Sequence, residues 1–317
     1  MACKTDAKIL LFLKAEVHSI HELAPDSFLR HVHVAFSHTE MMKQMDFTTR
    51  LCTIQAARRS TICVGLDPDP VRLPPTLLSR YTLADAVGAF NKSIIELTGD
   101  LVCAYKLNLA FYESLGDECW KVLRNTIEAI PDEVLIIADG KRGDIGNSAA
   151  FYARMVFDTL GFDACTVSAY MGRDSVEPFL DFSGRGVFVL VRTSNPGARD
   201  FQELRIAGTP LYEHVARTAL SWESDIGGDI GFVIGAIDTA PLRAIRSFAP
   251  DVPLLVPGVG TQGGSASGVM KAAGTGPVLI NSSRQIIYAS SGADYAAAAR
   301  RETLELKARL TQSDEVC

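Results

Sequence analysis

The segment Asp139-Gly-Lys141-Arg-Gly-Asp144 sets two carboxylates around a lysine, and a second lysine, Lys106, lies in an earlier apolar run. Charges of alternating sign that converge on one mouth are costly to desolvate unless they pair and hydrogen-bond with one another. Such an array can hold an ammonium group where negative charge develops in a reaction and can then deliver its proton there. A purely structural network of salt bridges is the alternative interpretation.

Polar side chains and glycines also follow the other apolar runs. In a (β/α)8 barrel the active site is built at the carboxyl ends of the strands, so residues at those ends are the first candidates for function. Side chains two apart on a strand point to the same side, which predicts that Lys106 and Asn108 face the same opening of the barrel. The same spacing relates Asp139 to Lys141. The other candidates at run ends are Asp67, Thr193, Ser194, Gly258, Gly260, Gln262 and Arg284.

A phosphate site is predicted after the last two runs. The stretch 256–264 reads VPGVGTQGG, and its glycines let backbone N–H groups approach an anion closely. Many barrels hold a phosphate with the loops after strands 7 and 8. Arg284, which follows the eighth run, adds the bidentate charge that a phosphate prefers.

The sequence lacks the residues that several other kinds of catalysis require. The one histidine after residue 38, His214, falls in a helix-like stretch, so proton transfer is left to lysine or a carboxylate. No GxSxG elbow, Cys–His pairing or GxGxxG motif is present. His31 and His33 form a His-x-His pair without further ligands nearby, so we predict neither a metal site nor a cofactor.

The order of the apolar runs predicts the fold. Eight short, continuous runs alternate with helix-like stretches, as expected of parallel strands covered by helices. They open at Ile62, Leu101, Val134, Ala164, Gly186, Ile230, Val252 and Pro277. This pattern predicts an α/β protein with a single (β/α)8 barrel domain over residues 46–317, preceded by an N-terminal extension over residues 1–45. A doubly wound sheet is the alternative fold. We expect helices over 46–59, 83–97 and 294–310.

Composition limits the partners. The chain has 317 residues, with 31 basic and 37 acidic side chains and a net charge of −6, which disfavours nucleic acid as a partner. No apolar run is long enough to span a membrane. The seven cysteines form no CxxC pair, and three of them, Cys63, Cys103 and Cys165, lie in apolar runs as small hydrophobes. We therefore expect a cytoplasmic protein.

The motifs resemble those of one family. Asp-x-Lys-x-x-Asp-Ile is the signature of orotidine 5'-phosphate decarboxylases, and the form here, DGKRGDIGNSA, resembles a branch found in many bacteria and some protozoa. The resemblance covers about residues 46–310 without a missing strand. The other matching stretches are CVGLDPDP at 63–70, AYKLNLAFYES at 104–114, VRTSNPGA at 191–198, VPGVGTQGG at 256–264 and the segment around Arg284.

The resemblance implies an activity and a catalytic set. The family decarboxylates orotidine 5'-monophosphate to UMP and CO2, the last step of UMP synthesis, without a cofactor. Lys106, Asp139, Lys141 and Asp144 would form the alternating charge array, with Lys141 as the proton donor to the carbon that loses CO2. Asp144 and Ile145 would be contributed across a homodimer interface to the partner subunit's site.

The resemblance also implies substrate contacts. Asp67 would bind a ribose hydroxyl, and Ser148 would reach the ribose in the partner subunit's site. Ser194 would contact the pyrimidine ring. Asn108 would lie in the site with a contact that the resemblance does not specify. The phosphate would be held by Gln262 and Arg284, in a glycine loop that includes Gly260.

Two other functions stay open at this point. One is a sister decarboxylase or aldolase that acts on a sugar phosphate such as 3-keto-gulonate 6-phosphate with Mg2+; such enzymes use further acidic ligands. Asn108 and the segment Thr193-Ser194-Asn195 fit a pyrimidine better. The other is a non-catalytic nucleotide-binding barrel, against which the intact Lys and Asp residues of the array argue.

Overall fold

All eight predicted runs contain a strand of one closed, parallel barrel. The computed structural model describes residues 44–222, 227–259 and 265–311. Each strand pairs with its neighbours in chain order, and the first pairs with the last, so the doubly wound alternative is wrong. The strands are β1 (Ile62–Gly65), β2 (Ala104–Asn108), β3 (Leu135–Arg142), β4 (Ala164–Val167), β5 (Gly186–Arg192), β6 (Asp229–Ile234), β7 (Leu254–Pro257) and β8 (Val278–Ser282).

Helices connect the strands and cover the barrel. The three helices predicted from the sequence are present within two residues of their expected ends. Two begin with a capping side chain: Asp46 accepts the N–H of Thr49, and Thr82 accepts that of Asp85. In chain order the helices are α1 (Phe47–Arg58), α2 (Pro75–Leu78), α3 (Leu83–Thr98), α4 (Leu109–Glu113), α5 (Cys119–Glu128), α6 (Gly146–Arg154), α7 (Glu177–Leu180), α8 (Leu211–Leu220), α9 (Ala240–Phe248), α10 (Ala266–Ala273), α11 (Arg284–Ile287) and α12 (Tyr295–Thr311).

The first helix, α1, crosses the amino-terminal end of the barrel. The ring of Phe47 packs edge-on against Phe188 of β5, with 5.8 Å between the ring centroids. A Cβ at Gly186 would come within 2.6 Å of the Phe47 ring, so any larger residue at this position would displace the ring. At the far end of α1, Gln55 donates to the carbonyl of Val278 at the start of β8 (2.7 Å). The helix thus closes the end of the barrel opposite to the strands' carboxyl ends.

A half-buried arginine links the amino-terminal ends of β7 and β8. Arg246 of α9 donates hydrogen bonds to five backbone carbonyls, and its burial lowers the pKa of the guanidinium to about 10. Because a guanidinium has five N–H donors in a fixed fork, one side chain can satisfy several carbonyls of converging segments. The acceptors are the carbonyls of Ala249, Pro250, Val252, Ala273 and Pro277.

Two features of the fold were not predicted. Arg205–Ile206 and Thr209–Pro210 form a short antiparallel pair in the segment between β5 and α8. The pairing of β3 with β4 shifts register between Ala138 and Arg142. Other expectations hold: Cys63, Cys103 and Cys165 are buried free thiols. Among the described helices none is both long and apolar enough to cross a membrane.

Candidate active site

A cavity of about 330 Å3 opens at the carboxyl ends of the strands and collects most of the predicted site residues. Strands on opposite sides of the barrel contribute side chains to it, because all eight strands end at the same rim. The predicted residues Gly260 and Gln262 lie outside the described part of the chain. The predicted residues that line the cavity are Asp67, Lys106, Asn108, Asp139, Lys141, Thr193, Ser194, Gly258 and Arg284.

Asp139 is the centre of the charge array. Its Oδ2 accepts from Lys106 Nζ at 2.8 Å, and its Oδ1 accepts from Lys141 Nζ at 2.7 Å. Lys106 Nζ also lies 3.7 Å from Oδ1 of Asp67. Charges therefore alternate in the order Asp67, Lys106, Asp139, Lys141 across three neighbouring strands. Alternation lets each buried charge stabilise the next one.

The central pair of the array, Asp139 and Lys106, is ionised near neutral pH. Burial alone would raise the pKa of Asp139, but the two lysine ammonium groups outweigh it and hold that pKa well below the ordinary value. Burial alone would lower the pKa of Lys106, yet the carboxylates of Asp139 and Asp67 raise it above its ordinary value. A carboxylate and an ammonium at contact distance each favour the other's charged form.

The two lysines differ in access to the cavity. The side chain of Lys106 is 5% exposed, whereas that of Lys141 is 41% exposed. Lys106 is thus enclosed between two carboxylates, and Lys141 presents its ammonium to the space where a ligand would bind. A proton donor must reach its acceptor within hydrogen-bond distance, so Lys141 is the better placed of the two.

Asp67 lies at the rim near β8 and is held by a tyrosine. The Tyr288 hydroxyl donates to the Asp67 carbonyl (3.0 Å) and accepts the N–H of Asp69 (2.5 Å). The guanidinium of Arg72 stacks 4.0 Å from the centre of the Tyr288 ring. Oδ1 of Asp67 and Oγ of Ser283 are buried without a hydrogen-bond partner among the described residues. Both residues line the cavity.

The wall of the cavity across from the charge array combines apolar and polar groups. Leu190, Val233 and Leu255, from three neighbouring strands, contribute a hydrocarbon surface that suits a flat ring. Above them, the hydroxyl of Thr193 donates to Oδ1 of Asn195 (2.6 Å), which orders the segment that also carries Ser194. A ring seated on the hydrocarbon surface would therefore meet polar groups at its edge.

The part of the cavity that follows β7 and β8 suits an anion. Gly258 adopts a φ of 96°, a left-handed conformation that favours glycine, at the start of the predicted phosphate loop. Arg284 is exposed at the first position of α11, directly after β8. Its guanidinium forms no ion pair with a residue of the described ranges, so its charge is free for a ligand.

Comparison with known proteins decides the family. A model of the orotidine 5'-phosphate decarboxylase / HUMPS family matches residues 60–301. An orotidine 5'-phosphate decarboxylase of Herpetosiphon aurantiacus is 47% identical over 259 residues, which cover 80% of this chain and 94% of that protein. The chain belongs to the orotidine 5'-phosphate decarboxylase family. The resemblance of the motifs is thereby confirmed, and the chain is an enzyme of this family.

Further relatives agree with this assignment. An orotidine 5'-phosphate decarboxylase of Thermomicrobium roseum is 45% identical over 274 residues, or 82% of this chain and 95% of that protein. The solved structure of Leishmania donovani OMP decarboxylase superposes with a TM-score of 0.71 at 38% identity, covering 84% of this chain and 99% of the other. The (β/α)8 fold of the orotidine 5'-phosphate decarboxylase family is therefore shared along the whole described barrel.

Sequence reasoning missed several residues that line the cavity in this family member. Thr166, Asn281, Ser282 and Ser283 all contribute to it. A usable signal existed for Asn281 and its neighbours, since three polar residues interrupt an apolar strand directly before Arg284. Thr166 gave a weaker signal, a single hydroxyl inside the otherwise apolar run ACTV. Leu190, Val233 and Leu255 gave none, because they look like any other core residue.

Three predicted site residues do not line the cavity of their own chain. Asp144 and Ile145 follow β3, and Ser148 lies in the first turn of α6; none of the three is among the residues that line the cavity. The Ile145 N–H donates to Oδ1 of Asp144 (2.8 Å). The orotidine 5'-phosphate decarboxylase motif of this chain is thus divided between a half that lines the cavity, Asp139 and Lys141, and a half that does not, Asp144 and Ile145.

Proposed function

We propose that the chain converts orotidine 5'-monophosphate to UMP and CO2 in pyrimidine biosynthesis, without a cofactor. The observation that carries the proposal is the ion-paired Lys106–Asp139–Lys141 array on β2 and β3, in a cavity that is also lined by Arg284 after β8, which forms no ion pair with a described residue. A nucleoside monophosphate has the matching layout, with the reacting ring and the phosphate at opposite ends. The names of the relatives support the same substrate.

In the proposed reaction, the bond between the pyrimidine ring and the carboxylate breaks, CO2 leaves, and the electron pair remains on the ring carbon. That carbanion has no conjugated sink, so the protein must stabilise it electrostatically. The ammonium of Lys141, fixed against Asp139, faces the developing charge and then gives its proton to the carbon. Asp139 lies beside the substrate carboxylate, which disfavours the charged ground state relative to neutral CO2.

Groups remote from the ring would supply binding energy. Arg284, with Gly260 and Gln262, would hold the phosphate, and Asp67 would accept a hydrogen bond from the ribose. Ser194 and Asn108 would contact the nucleotide at the polar edge of the cavity. Binding energy from these contacts can be used to orient the ring over the array at the transition state.

We further propose a homodimer in which the partner copy completes each site. Asp144, Ile145 and Ser148 do not line their own cavity, and large apolar side chains of the segment 145–170 are exposed: Ile145 is 59% exposed, Phe151 59% and Tyr170 89%. Isolated exposed apolar residues are ordinary, but a patch of this kind marks an interface. In a two-fold dimer the same patch serves both subunits, so Asp144 would extend the partner's array by one more carboxylate.

We place the protein in the cytoplasm. Cys63, Cys103 and Cys165 are buried without a disulfide in the described chain, and burial raises the pKa of the Cys103 thiol to about 12. Buried protonated thiols of this kind are typical of proteins from a reducing compartment.

One assay tests the substrate and separates the alternatives. The purified chain should consume orotidine 5'-monophosphate, followed by absorbance, and release UMP with or without EDTA. A sugar-phosphate enzyme would instead turn over 3-keto-gulonate 6-phosphate and lose activity in EDTA. A nucleotide-binding barrel would bind UMP in calorimetry and convert neither substrate.

A further inference from the structure

Three residues of β3 stand opposite a single residue of β4. The two strands pair regularly at Ala138 with Cys165 and again at Arg142 with Val167. Between these pairs, β3 contains the segment 139–141 and β4 contains only Thr166. β3 therefore bulges at Asp139 and Lys141, two of the four members of the charge array, and bulges of this kind re-aim side chains next to active sites.

Within this bulge Lys141 has an unusual backbone conformation. Its φ is 45°, in the left-handed region that residues other than glycine, asparagine and aspartate rarely adopt. A conformation of this kind persists only where surrounding contacts impose it. The Lys141 N–H donates to Oγ1 of Thr166 at 2.9 Å, which fixes the peptide at the point where the chain turns.

The same hydroxyl also fixes Asp139. Oγ1 of Thr166 donates to Oδ1 of Asp139 at 2.9 Å, and this oxygen is the one that accepts Lys141 Nζ. A backbone N–H can only donate, so the single hydroxyl proton is left for the carboxylate. Both bonds have a fixed direction, and the β-branched side chain is stiff about χ1. Thr166 is 1% exposed, so water does not compete.

We infer that Thr166 is a positioning residue that sets where the Lys141 ammonium stands. Its hydroxyl connects both ends of Lys141: it binds the backbone N–H directly, and it orients the carboxylate that receives the ammonium. Valine would fit a buried strand between Cys165 and Val167 equally well, so packing does not require the hydroxyl. This inference rests on the proposed role of Lys141 as proton donor.

The test compares Thr166→Val, which keeps the shape and removes the hydroxyl, with Thr166→Ser, which keeps the hydroxyl. Thr166→Val should lower kcat about ten- to a hundredfold, because the proton donor is displaced while the contacts to ribose and phosphate remain. KM and the Kd for UMP should stay within about threefold of wild type. Thr166→Ser should recover most of kcat. A high-resolution structure of Thr166→Val should show Lys141 with a negative φ.

A matched control is Thr303→Val. Thr303 is also fully buried, and its hydroxyl donates to the Ala299 carbonyl within α12, remote from the cavity. This variant should lose a similar amount of stability and keep wild-type kcat. If Thr166→Val does not fold, Thr166→Cys replaces it in the test. A thiol is similar in size to a hydroxyl but is a poor hydrogen-bond donor and acceptor.

The outcomes distinguish a failure of the positioning role of Thr166 from a failure of the proposed function. If wild type turns over orotidine 5'-monophosphate and Lys141→Ala does not, a Thr166→Val kcat within threefold of wild type overturns the positioning role alone. A Thr166→Ser variant as slow as Thr166→Val also overturns it, because the hydroxyl is then not the cause. If wild type does not convert this substrate, the proposed function fails and the inference falls with it.

Discussion

The ammonium of Lys106 lies 2.8 Å from Oδ2 of Asp139, and both side chains are almost completely buried. Removing one partner of a buried pair leaves an uncompensated charge, so Lys106→Met should lower the free energy of unfolding by about 3 kcal/mol. Urea unfolding followed by circular dichroism measures this. Lys92→Met is the matched control: Lys92 is 67% exposed and 3.9 Å from Glu96, and its loss should cost less than about 0.5 kcal/mol. Equal effects of the two substitutions would contradict the prediction.

The contribution of the Lys106–Asp139 pair to the free energy of unfolding should be independent of pH around neutrality. The pKa of Asp139 is lowered on folding, so its stabilising contribution is complete above its ordinary value of 3.8 and is lost as pH falls below it. The pKa of Lys106 is raised, so its contribution is complete below 10.5 and is lost as pH rises further. The difference in unfolding free energy between wild type and Lys106→Met should be constant from about pH 5 to about pH 9 and should narrow below about pH 4. A steep change around neutrality would show that another group dominates.

Lys141→Ala should abolish turnover without unfolding the protein. Lys141 is the lysine of the array that is exposed to the cavity, so the substitution removes the proton donor at a modest cost in packing. We expect kcat to fall at least about a thousandfold, with a thermal midpoint close to that of wild type. Lys271→Ala, an exposed lysine on α10, serves as the control and should keep full activity. Activity of Lys141→Ala within tenfold of wild type would exclude the assigned role.

Arg284→Ala should weaken binding more than it affects folding. The guanidinium has no ion partner among the described residues, so its loss removes a charge-assisted phosphate contact worth about 2 kcal/mol, or roughly thirtyfold in the Kd for UMP. Isothermal calorimetry with UMP measures this, and KM for the substrate should rise in parallel. Arg124→Ala, an exposed arginine on α5, is the control and should bind UMP normally. Unchanged binding by Arg284→Ala would mean that the phosphate lies elsewhere.

A mixture of two inactive variants tests the shared site. If Asp144 serves the partner subunit, a heterodimer of Lys141→Ala and Asp144→Ala has one site with both defects and one with neither. Random reassortment makes half of the dimers mixed, so activity should return to about a quarter of wild type per total site. Exchange is confirmed by mass spectrometry. If exchange occurs and activity stays at the level of the parents, Asp144 acts within its own chain.

Much of the site could be predicted because strand order alone brings strand ends together. Lys106 and Asp139 lie on neighbouring strands and Asp67 follows the strand beside them, so their convergence follows once eight parallel strands are expected. Lys141 lies beside Asp139 at the same opening, as predicted, but the geometry of a regular strand does not account for it. The spacing of two assumes a regular strand, whereas here a bulge and a left-handed backbone deliver the side chain.

The rest depended on tertiary contacts that a sequence pattern does not carry. Nothing in the run ACTV shows that Thr166 faces a bulge, because the bulge arises from the register between two strands. Leu190, Val233 and Leu255 match the core pattern and line the cavity only because of where the barrel opens. The short antiparallel pair after β5 has two residues in each strand, too few for a periodic signal.

The helix that crosses the amino-terminal end of the barrel has a consequence for the order in which the protein can fold during synthesis. Residues 47–58 are made before any strand of the barrel, yet Thr48 donates to Asp229 and Gln55 to Val278, contacts that span 181 and 223 residues of chain. A nascent chain that ends before β8 has no place for the far end of this helix. Contacts between such distant segments form late, because the loop between them must first be closed. The end of the barrel that is built from the earliest residues is therefore completed last, after the final strand has left the ribosome.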